Sequence, residues 1–235
     1  NNGKKIPADL VICNADPPTV YSEMLPSEYS RDSLLKPKKF THYSMGLYVL
    51  FFGSKKKFSD VAHHTIWMSE RYKELLHDIF EKKILTEDFS LYLHRPTATD
   101  DTFAPEGCDS FYVLCPVPNL QGNVQWNSEG PKLKDRIVEA LDKTIMPGLK
   151  ENIEAEFWMT PEDFKNDYRS KYGAGFSVAP IFSQSAWFRY HNKDKKIPNL
   201  YFSAAGSHPG AGIPGVLCSA KVIEKLIIKD FKVSH

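Results

Sequence analysis

The sequence predicts an α+β fold, a mixed sheet with interspersed helices. Three observations carry that prediction. The apolar runs are strand-sized and separated by glycine, proline and charged turns. Three or four other segments repeat their apolar residues at helical spacing. The two kinds of segment follow one another irregularly, where repeating βαβ units would alternate. With 235 residues, 42% hydrophobic and 25% charged, the chain has the composition of an ordinary globular protein, enough for one sizeable domain or two small ones.

Residues 8–15 (ADLVICNA) form a short apolar run that reads as a buried strand delivering a loop, because Pro17 and Pro18 forbid its continuation. Residues 21–25 suit a helical turn, and residues 42–52 (HYSMGLYVLFF) suit a strand buried on both faces, closed by a charged turn at residues 53–57. A second strand near residues 65–68 leads to Ser69, the expected cap of a helix carrying Tyr72, Leu75, Leu76, Ile79 and Phe80 on one face. Strands follow at residues 90–93 and 111–117. Pro131 is the expected start of a helix with the stripe Leu133, Ile137, Leu141 and Ile145, stopped by Pro147 and Gly148. Residues 153–159 alternate as a strand with Ile153, Ala155, Phe157 and Met159 on one face. Thr160, Pro161 and Asp163 then make a capping box in which Asp replaces the usual Glu or Gln.

The most informative stretch is residues 199–220, NLYFSAAGSHPGAGIPGVLCSA. An apolar strand, a glycine turn and a helix with Val216, Ala220, Ile223 and Ile227 along one face succeed one another. Gly210, Gly212 and Gly215 satisfy G-x-G-x-x-G, the spacing that lets backbone approach a pyrophosphate at a helix N-terminus. A dinucleotide fold also needs a second strand after that helix and an acidic residue roughly 20 positions on. The sequence given stops too soon for either, so this turn does not make a complete nucleotide site.

Other chemistry is weakly supported. Thirty basic against 29 acidic residues leave a net charge of +1, which gives no reason to expect a nucleic-acid partner. Lysine clusters at 36, 38 and 39, at 55–57, and at 193, 195 and 196 are either solvated loop charge or a patch attracted to anionic lipid. Cys13, Cys108, Cys115 and Cys218 show no CxxC pair and read as reduced core thiols of a cytosolic protein. No apolar run approaches the roughly 18 residues of a membrane span, and no signal peptide is visible. His63 and His64 are adjacent and so are expected to diverge, no H-E-x-x-H occurs, and no metal ligand is predicted. The absence of a G-x-S-x-G elbow leaves a hydrolase little support. Residues 182–192 (FSQSAWFRYHN) crowd aromatics beside Arg189 and His191, which suits either the wall of a flat cofactor or a core loop. The opening NNGKKIPADL lacks an initiator methionine, has a Gly3 turn resembling mid-hairpin, and suggests a fragment.

These residues also carry a resemblance. Residues 184–222 (QSAWFRYHNKDKKIPNLYFSAAGSHPGAGIPGVLCSAKV), 104–120 (APEGCDSFYVLCPVPNL), 129–141 (EGPKLKDRIVEAL), MPGL at 146–149 and ADLVICNADP at 8–17 together resemble the bacterial-type phytoene desaturases, in the family's order along the chain. The resemblance implies the C-terminal half of a two-domain, FAD-dependent, amine-oxidase-like flavoprotein, with the dinucleotide fingerprint outside this sequence. It implies residues 1–20 as strand and loop of the FAD domain, 21–180 as a substrate-binding domain, and 181–235 as the returning segment of the FAD domain. Gly206, Gly212, Ile213, Pro214, Gly215 and Val216, with Asn14 and Ala15, are its expected flavin neighbours. Arg189 and His191 are its candidates for acid-base or charge-stabilising work. It further implies introduction of C=C bonds into a C40 precursor, a lipophilic polyene such as phytoene as substrate, and peripheral contact with the membrane from the cytoplasmic side. Phe51, Phe52, Trp67, Tyr92, Phe111 and Tyr112 are candidate tunnel lining. A polyene isomerase, a ketolase, a desaturase of shorter polyenes, or a piece inactive on its own are the alternatives.

Overall fold

The computed structural model describes residues 3–31 and 41–232. The lysine cluster at 36, 38 and 39 lies outside the described residues. In chain order the elements are β1 (Val11–Cys13), α1 (Pro17–Thr19) continued by a π turn at Val20–Met24, α2 (Ser27–Arg31), β2 (Gly46–Ser54), β3 (His64–Trp67), α3 (Tyr72–His77), β4 (Leu91–His94), β5 (Asp109–Val117), α4 (Trp126–Lys143), α5 (Leu149–Asn152), β6 (Ile153–Met159), α6 (Pro161–Asp167), β7 (Leu200–Phe202) and α7 (Ile213–Phe231). Two compact units result: Asn1–Ser44 with Tyr168–Lys171 and Phe176–His235, and Met45–Asp167 with Tyr172–Gly175. The α+β expectation holds, with antiparallel pairing in one unit and parallel pairing in the other.

The larger unit is an antiparallel sheet of five strands in the order β3-β4-β5-β2-β6. Strict alternation along β5 sends Phe111, Val113, Cys115 and Val117 to one face. There they join Tyr48, Leu50 and Phe52 of β2 and Leu91 and Leu93 of β4, under Leu133, Ile137, Val138 and Leu141 of α4. Cys115 is a core thiol pushed up to about 12 by burial, but Cys218 is exposed, so the core reading fails for that cysteine.

Three local expectations shift. Helix α4 begins at Trp126, not Pro131. Proline early in a helix forfeits one intrahelical bond, and Trp126, buried in the core cluster, secures the turn before it. Because α4 ends at Lys143, Met146 fills the core while Ile145 is exposed. In β6, a register shift between Gly53 and Ser54 of its partner sends Ile153 to the core cluster while Phe157 stays outside, so those residues do not share one face. Ser69 is no cap: its hydroxyl donates to Asp88, and α3 starts after Arg71. The box at α6 forms in half: Asp163 Oδ2 accepts from Thr160 N at 2.6 Å as read, but Thr160 Oγ1 also donates to Asp163 Oδ2, at 2.8 Å.

The smaller unit pairs β1 with β7 in parallel. Tyr21 is buried here, its ring stacked 6.0 Å from Tyr190 and 5.5 Å from Phe202, and its hydroxyl donating to Asp194. These contacts place residues 21–31 with this unit, where the sequence reading put them with residues 21–180. Val11 and Ile12 are exposed, so β1 is not the buried strand expected. Gly3 has φ +72, and no strand is assigned to residues 4–10. On α7 the inward line runs through Ser219 and Ile223, with Ala220 exposed, because Ser219 Oγ reaches Ser203 Oγ at 2.9 Å on the strand-to-turn segment. Among the described residues no helix is long and apolar enough to cross a membrane.

Candidate functional site

The strand-turn-helix of residues 199–220 folds as read, and its glycines divide by role. Gly206 is buried, and a Cβ there would stand 2.6 Å from Ser177 Oγ, 2.7 Å from Pro17 Cδ and 2.8 Å from Asp16 Oδ1. Gly215 would bring a Cβ within 2.6 Å of the Gly210 carbonyl oxygen. Both are therefore glycine for this chain's own packing, which removes the need for a ligand to explain them. Gly212 differs. It has φ +94 and nothing within 4 Å of its missing side chain. It precedes α7 with no side-chain cap, so the N–H groups of Ile213 and Gly215 are free to meet an acceptor; Pro214 has none to offer. Ile213, 79% exposed, and Leu217 stand beside this helix end, while Val216 is half-buried and donates its N–H to Gly212 O. An uncapped helix start flanked by exposed aliphatic side chains fits the edge and face of a flat, electron-rich ring. Asn14 is exposed, its amide donating to Ser203 O, with Ala15 half-buried beside it.

Arg189 is 4% exposed, and its guanidinium is committed to backbone. Nε and Nη2 donate to Ala205 O at 3.0 and 2.8 Å, Nη2 to Phe176 O at 2.9 Å, and Nη1 to Val178 O at 3.2 Å. The side chain braces residues 176–178 against the turn, so the structure gives it a positioning role where the sequence suggested acid-base work. Asp16 is the nearby carboxylate. Burial pushes its pKa up, against opposing bonds from Ser177 Oγ and Lys171 N and the charges of Arg189 and Lys171. His191 is half-buried with the edge of Trp187 at 5.1 Å, and burial, then Lys195 and His208, hold it below the ordinary histidine range. That lowered proton affinity favours the uncharged form of the ring. In the segment 182–192 both readings apply in part. Tyr190 and Asn192 are core, whereas Phe182, Trp187 and Phe188 are exposed.

In the larger unit the outer face of the sheet is apolar. Register aligns His64 with His94, His94 with Tyr112, Tyr112 with Phe51, and Phe51 with Phe157, one row of rings crossing all five strands. Phe51 stacks on Phe157 at 4.5 Å and lies 5.9 Å from Tyr112, which meets His94 edge-on at 4.9 Å. The adjacent row is Ile66, Tyr92, Leu114, Val49 and Met159. A shallow cavity of about 380 Å³ opens on this face, lined by Phe51, Gly53, Pro96, Tyr112, Ala155 and Phe157 among others. Of the lining residues read from sequence, Phe51, Phe52, Phe111 and Tyr112 border this cavity, Phe52 and Phe111 while also belonging to the core cluster; Tyr92 stands in the adjacent row outside the cavity, and Trp67 packs against the core. Phe157 and Leu114, unassigned by the sequence reading, complete the face; their alternation within β6 and β5 was the available signal.

Three lysines of the two described basic clusters have carboxylate partners. Lys55 pairs with Glu154 at 2.7 Å, Lys57 with Asp101 at 3.1 Å and Lys193 with Asp230 at 2.6 Å. One histidine expectation also fails: the rings of His63 and His64 lie 4.3 Å apart, because His63 sits in a bend just before β3, outside the pleat that would part them.

The two features open to a ligand are thus an apolar sheet face in one unit and an uncapped helix start after a glycine turn in the other. The model of the family described as flavin containing amine oxidoreductase matches residues 1–222, and the chain belongs to that family. Among curated relatives it is similar to a lycopene-forming phytoene desaturase of Pantoea ananas, 45% identical over 233 residues, covering 97% of this chain and 47% of the relative. It is also 44% identical to a neurosporene-forming phytoene desaturase of Rhodobacter capsulatus, covering 96% of this chain and 44% of the relative. The chain thus spans a little under half the length of these relatives. An oxidoreductase from Methanosarcina mazei has a similar fold, with TM-score 0.54 at 16% identity over 95% of this chain and 44% of that one.

Proposed function

We propose that this chain supplies the substrate face and the flavin-facing turn of an FAD-dependent desaturase that introduces C=C bonds into phytoene, a C40 polyene precursor. The single observation that carries the reading is the apolar outer face of the five-stranded sheet, with its two aligned rows and open cavity. A hydrocarbon offers few polar handles, so its orientation must come from shape and apolar contact. Burying a chain against such a face releases about 25 cal/mol for each Å² of apolar surface removed from water. The similarity to phytoene desaturases at 44 and 45% identity supports the choice of substrate.

Gly212, Ile213, Pro214 and Val216 would hold the ring end of FAD, with Gly206 and Gly215 setting the turn behind them. Bound FAD would supply the hydride acceptor for removal of two hydrogens across a saturated C–C bond. This chain's share is to present the free N–H groups of α7 to developing negative charge and to exclude water with Ile213 and Leu217. His191, kept neutral, is the group here able to take a proton from a carbon next to the reacting one.

Peripheral contact with a membrane surface on the cytoplasmic side belongs to the same proposal, motivated by the lipid-soluble substrate and by the exposed Phe182, Trp187 and Phe188. Flotation with anionic liposomes at low salt tests it: the protein is expected in the floated fraction, and full recovery in the soluble fraction contradicts it. The reaction itself is tested by expressing the whole gene product in a carotenoid-free host that makes phytoene. Conversion to more conjugated products is expected. Products of a shorter polyene alone, or unchanged phytoene with soluble protein, overturn it.

A further inference from the structure

At the end of the aromatic row, where β3 and β4 meet the bends beside them, three imidazoles converge. One ring nitrogen from each of His63, His64 and His94 lies within 4.8 Å of the others. Their rings are 4.3, 4.8 and 5.2 Å apart, pair by pair. The backbone holds them there: His64 and His94 are register partners, and Arg95 N donates to His63 O at 2.9 Å, fixing the residue before the strand.

The nitrogens that face away are tied. His63 Nδ1 bonds Thr99 Oγ1, and His64 Nδ1 bonds Tyr92 OH at 2.7 Å. Such bonds turn the opposite nitrogens of both rings, their Nε2 atoms, toward His94. His63 Nε2 in fact meets His94 Nε2 at 2.8 Å, close enough for both to face one point. His94 Nδ1 is buried without a hydrogen-bond partner. Three converging imidazoles, two of them braced at their remote nitrogens by a hydroxyl and a phenol, have the makeup of a metal centre and its supporting shell. For nitrogen ligands about 2.0 to 2.1 Å from a tetrahedral ion, ligand atoms stand about 3.4 Å apart. The observed spacings, 2.8 Å for the bonded pair and up to 4.8 Å over the set, bracket that value. Small ring rotations suffice to reach it.

We propose that His63, His64 and His94 form a site for a divalent first-row transition ion of the zinc type, bound by three imidazoles with the fourth position facing solvent beside exposed His64. Thr99 and Tyr92 position the ligands. Imidazole ligation suits Zn²⁺, Ni²⁺ and Cu²⁺ and disfavours Mg²⁺ and Ca²⁺, which take oxygen. His64, His94 and Tyr92 stand at one end of the two rows assigned to the substrate face, but metal binding by the imidazoles is read out on its own and needs no desaturation to be observed.

The test uses tag-free, metal-stripped protein, titrated with ZnCl₂ against a chromophoric chelator and separately with CoCl₂ while the visible d–d bands are recorded. One equivalent of Zn²⁺ and an intense tetrahedral Co²⁺ spectrum are expected. His94→Gln and His64→Gln should each weaken binding by at least about 10- to 100-fold, and Thr99→Val by about 10-fold. His77→Gln, on α3, should leave binding unchanged. Far-UV circular dichroism of the metal-free variants must match wild type, which separates loss of a ligand from loss of the fold. No saturable binding overturns the proposal; so does wild-type affinity in folded His94→Gln, or an octahedral Co²⁺ spectrum indifferent to all three histidines.

Discussion

Replacing Arg189 by Met removes the guanidinium while keeping most of its stem, and the structure sets the cost. Four carbonyl oxygens, those of Phe176, Val178, Gln184 and Ala205, lose a charged donor. A buried acceptor left without a partner costs about 1 to 3 kcal/mol. Ala205 and Phe176 are half-buried and recover water in part, so the sum falls to about 3 to 5 kcal/mol, the range for breaking a buried charged network. Asp16 also loses a compensating charge, and its already raised pKa should climb further. Lysine carries one compact ammonium and can satisfy Ala205 O but not the Phe176 and Val178 carbonyls as well, so Arg189→Lys should recover about half of the loss. In a chain of this size about 3 to 5 kcal/mol lowers Tm by roughly 6 to 20 °C. Urea melts and thermal scans of purified wild type and both variants measure it, with the order wild type, Lys, Met. If Arg189→Met were within about 0.5 kcal/mol of wild type yet inactive, a surface-like tolerance, the bracing role would be refuted and direct participation in chemistry restored.

Further outcomes follow from the same coordinates. Gly206→Ala drives a Cβ into Ser177, Pro17 and Asp16 and should cost about 1 to 3 kcal/mol in urea denaturation, whereas Gly212→Ala meets no neighbour but forces φ +94 on a residue with a Cβ, a backbone strain of about 1 to 3 kcal/mol, and should also lower flavin retention. Asp109, fully buried between Arg95 Nε at 3.1 Å and Thr97 Oγ1 at 2.7 Å, should destabilise by about 3 to 5 kcal/mol on substitution by Ala, because Arg95 is left buried and uncompensated. Because the folded-state pKa of Asp16 is raised above its unfolded value near 3.9, the folded state holds more protons between the two values, and stability falls as pH rises through that window. Asp16→Asn should flatten that segment of a stability-against-pH curve measured by urea. Phe157→Glu places a carboxylate in the aromatic row at a position 58% exposed, where the fold tolerates it, and should lower product formation at least tenfold while leaving the melting curve near wild type.

Much of this was legible in the sequence, for identifiable reasons. β2, β3, β4, β5 and β6 all fall where alternation or apolar runs put them, since period-two patterning is imposed by a sheet with a core on one side. The bond from Thr160 N to Asp163 was legible because it is local chemistry. What escaped depends on register and tertiary partners. Nothing near Pro131 announces that Trp126 will anchor an earlier helical turn, and the bulge that parts Ile153 from Phe157 exists only once β6 meets β2. At the site, the Gly212 turn could be read from glycine spacing, but spacing could not separate Gly212 from Gly206 and Gly215, whose role depends on atoms far away in sequence. Arg189 looked catalytic because its carbonyl partners are invisible in a list of side chains. The histidine cluster was hidden by distance in sequence, His94 being 31 residues from His63.

The central claim is that the apolar sheet face and the α7 turn serve flavin-dependent desaturation of a C40 polyene. Chromatographic analysis of carotenoids from phytoene-producing cells that express the whole gene product tests it most directly. The account predicts that phytoene is consumed and that more conjugated, longer-wavelength polyenes replace it, with the Phe157→Glu variant accumulating phytoene. Unchanged phytoene beside folded, flavin-loaded wild-type protein would contradict it.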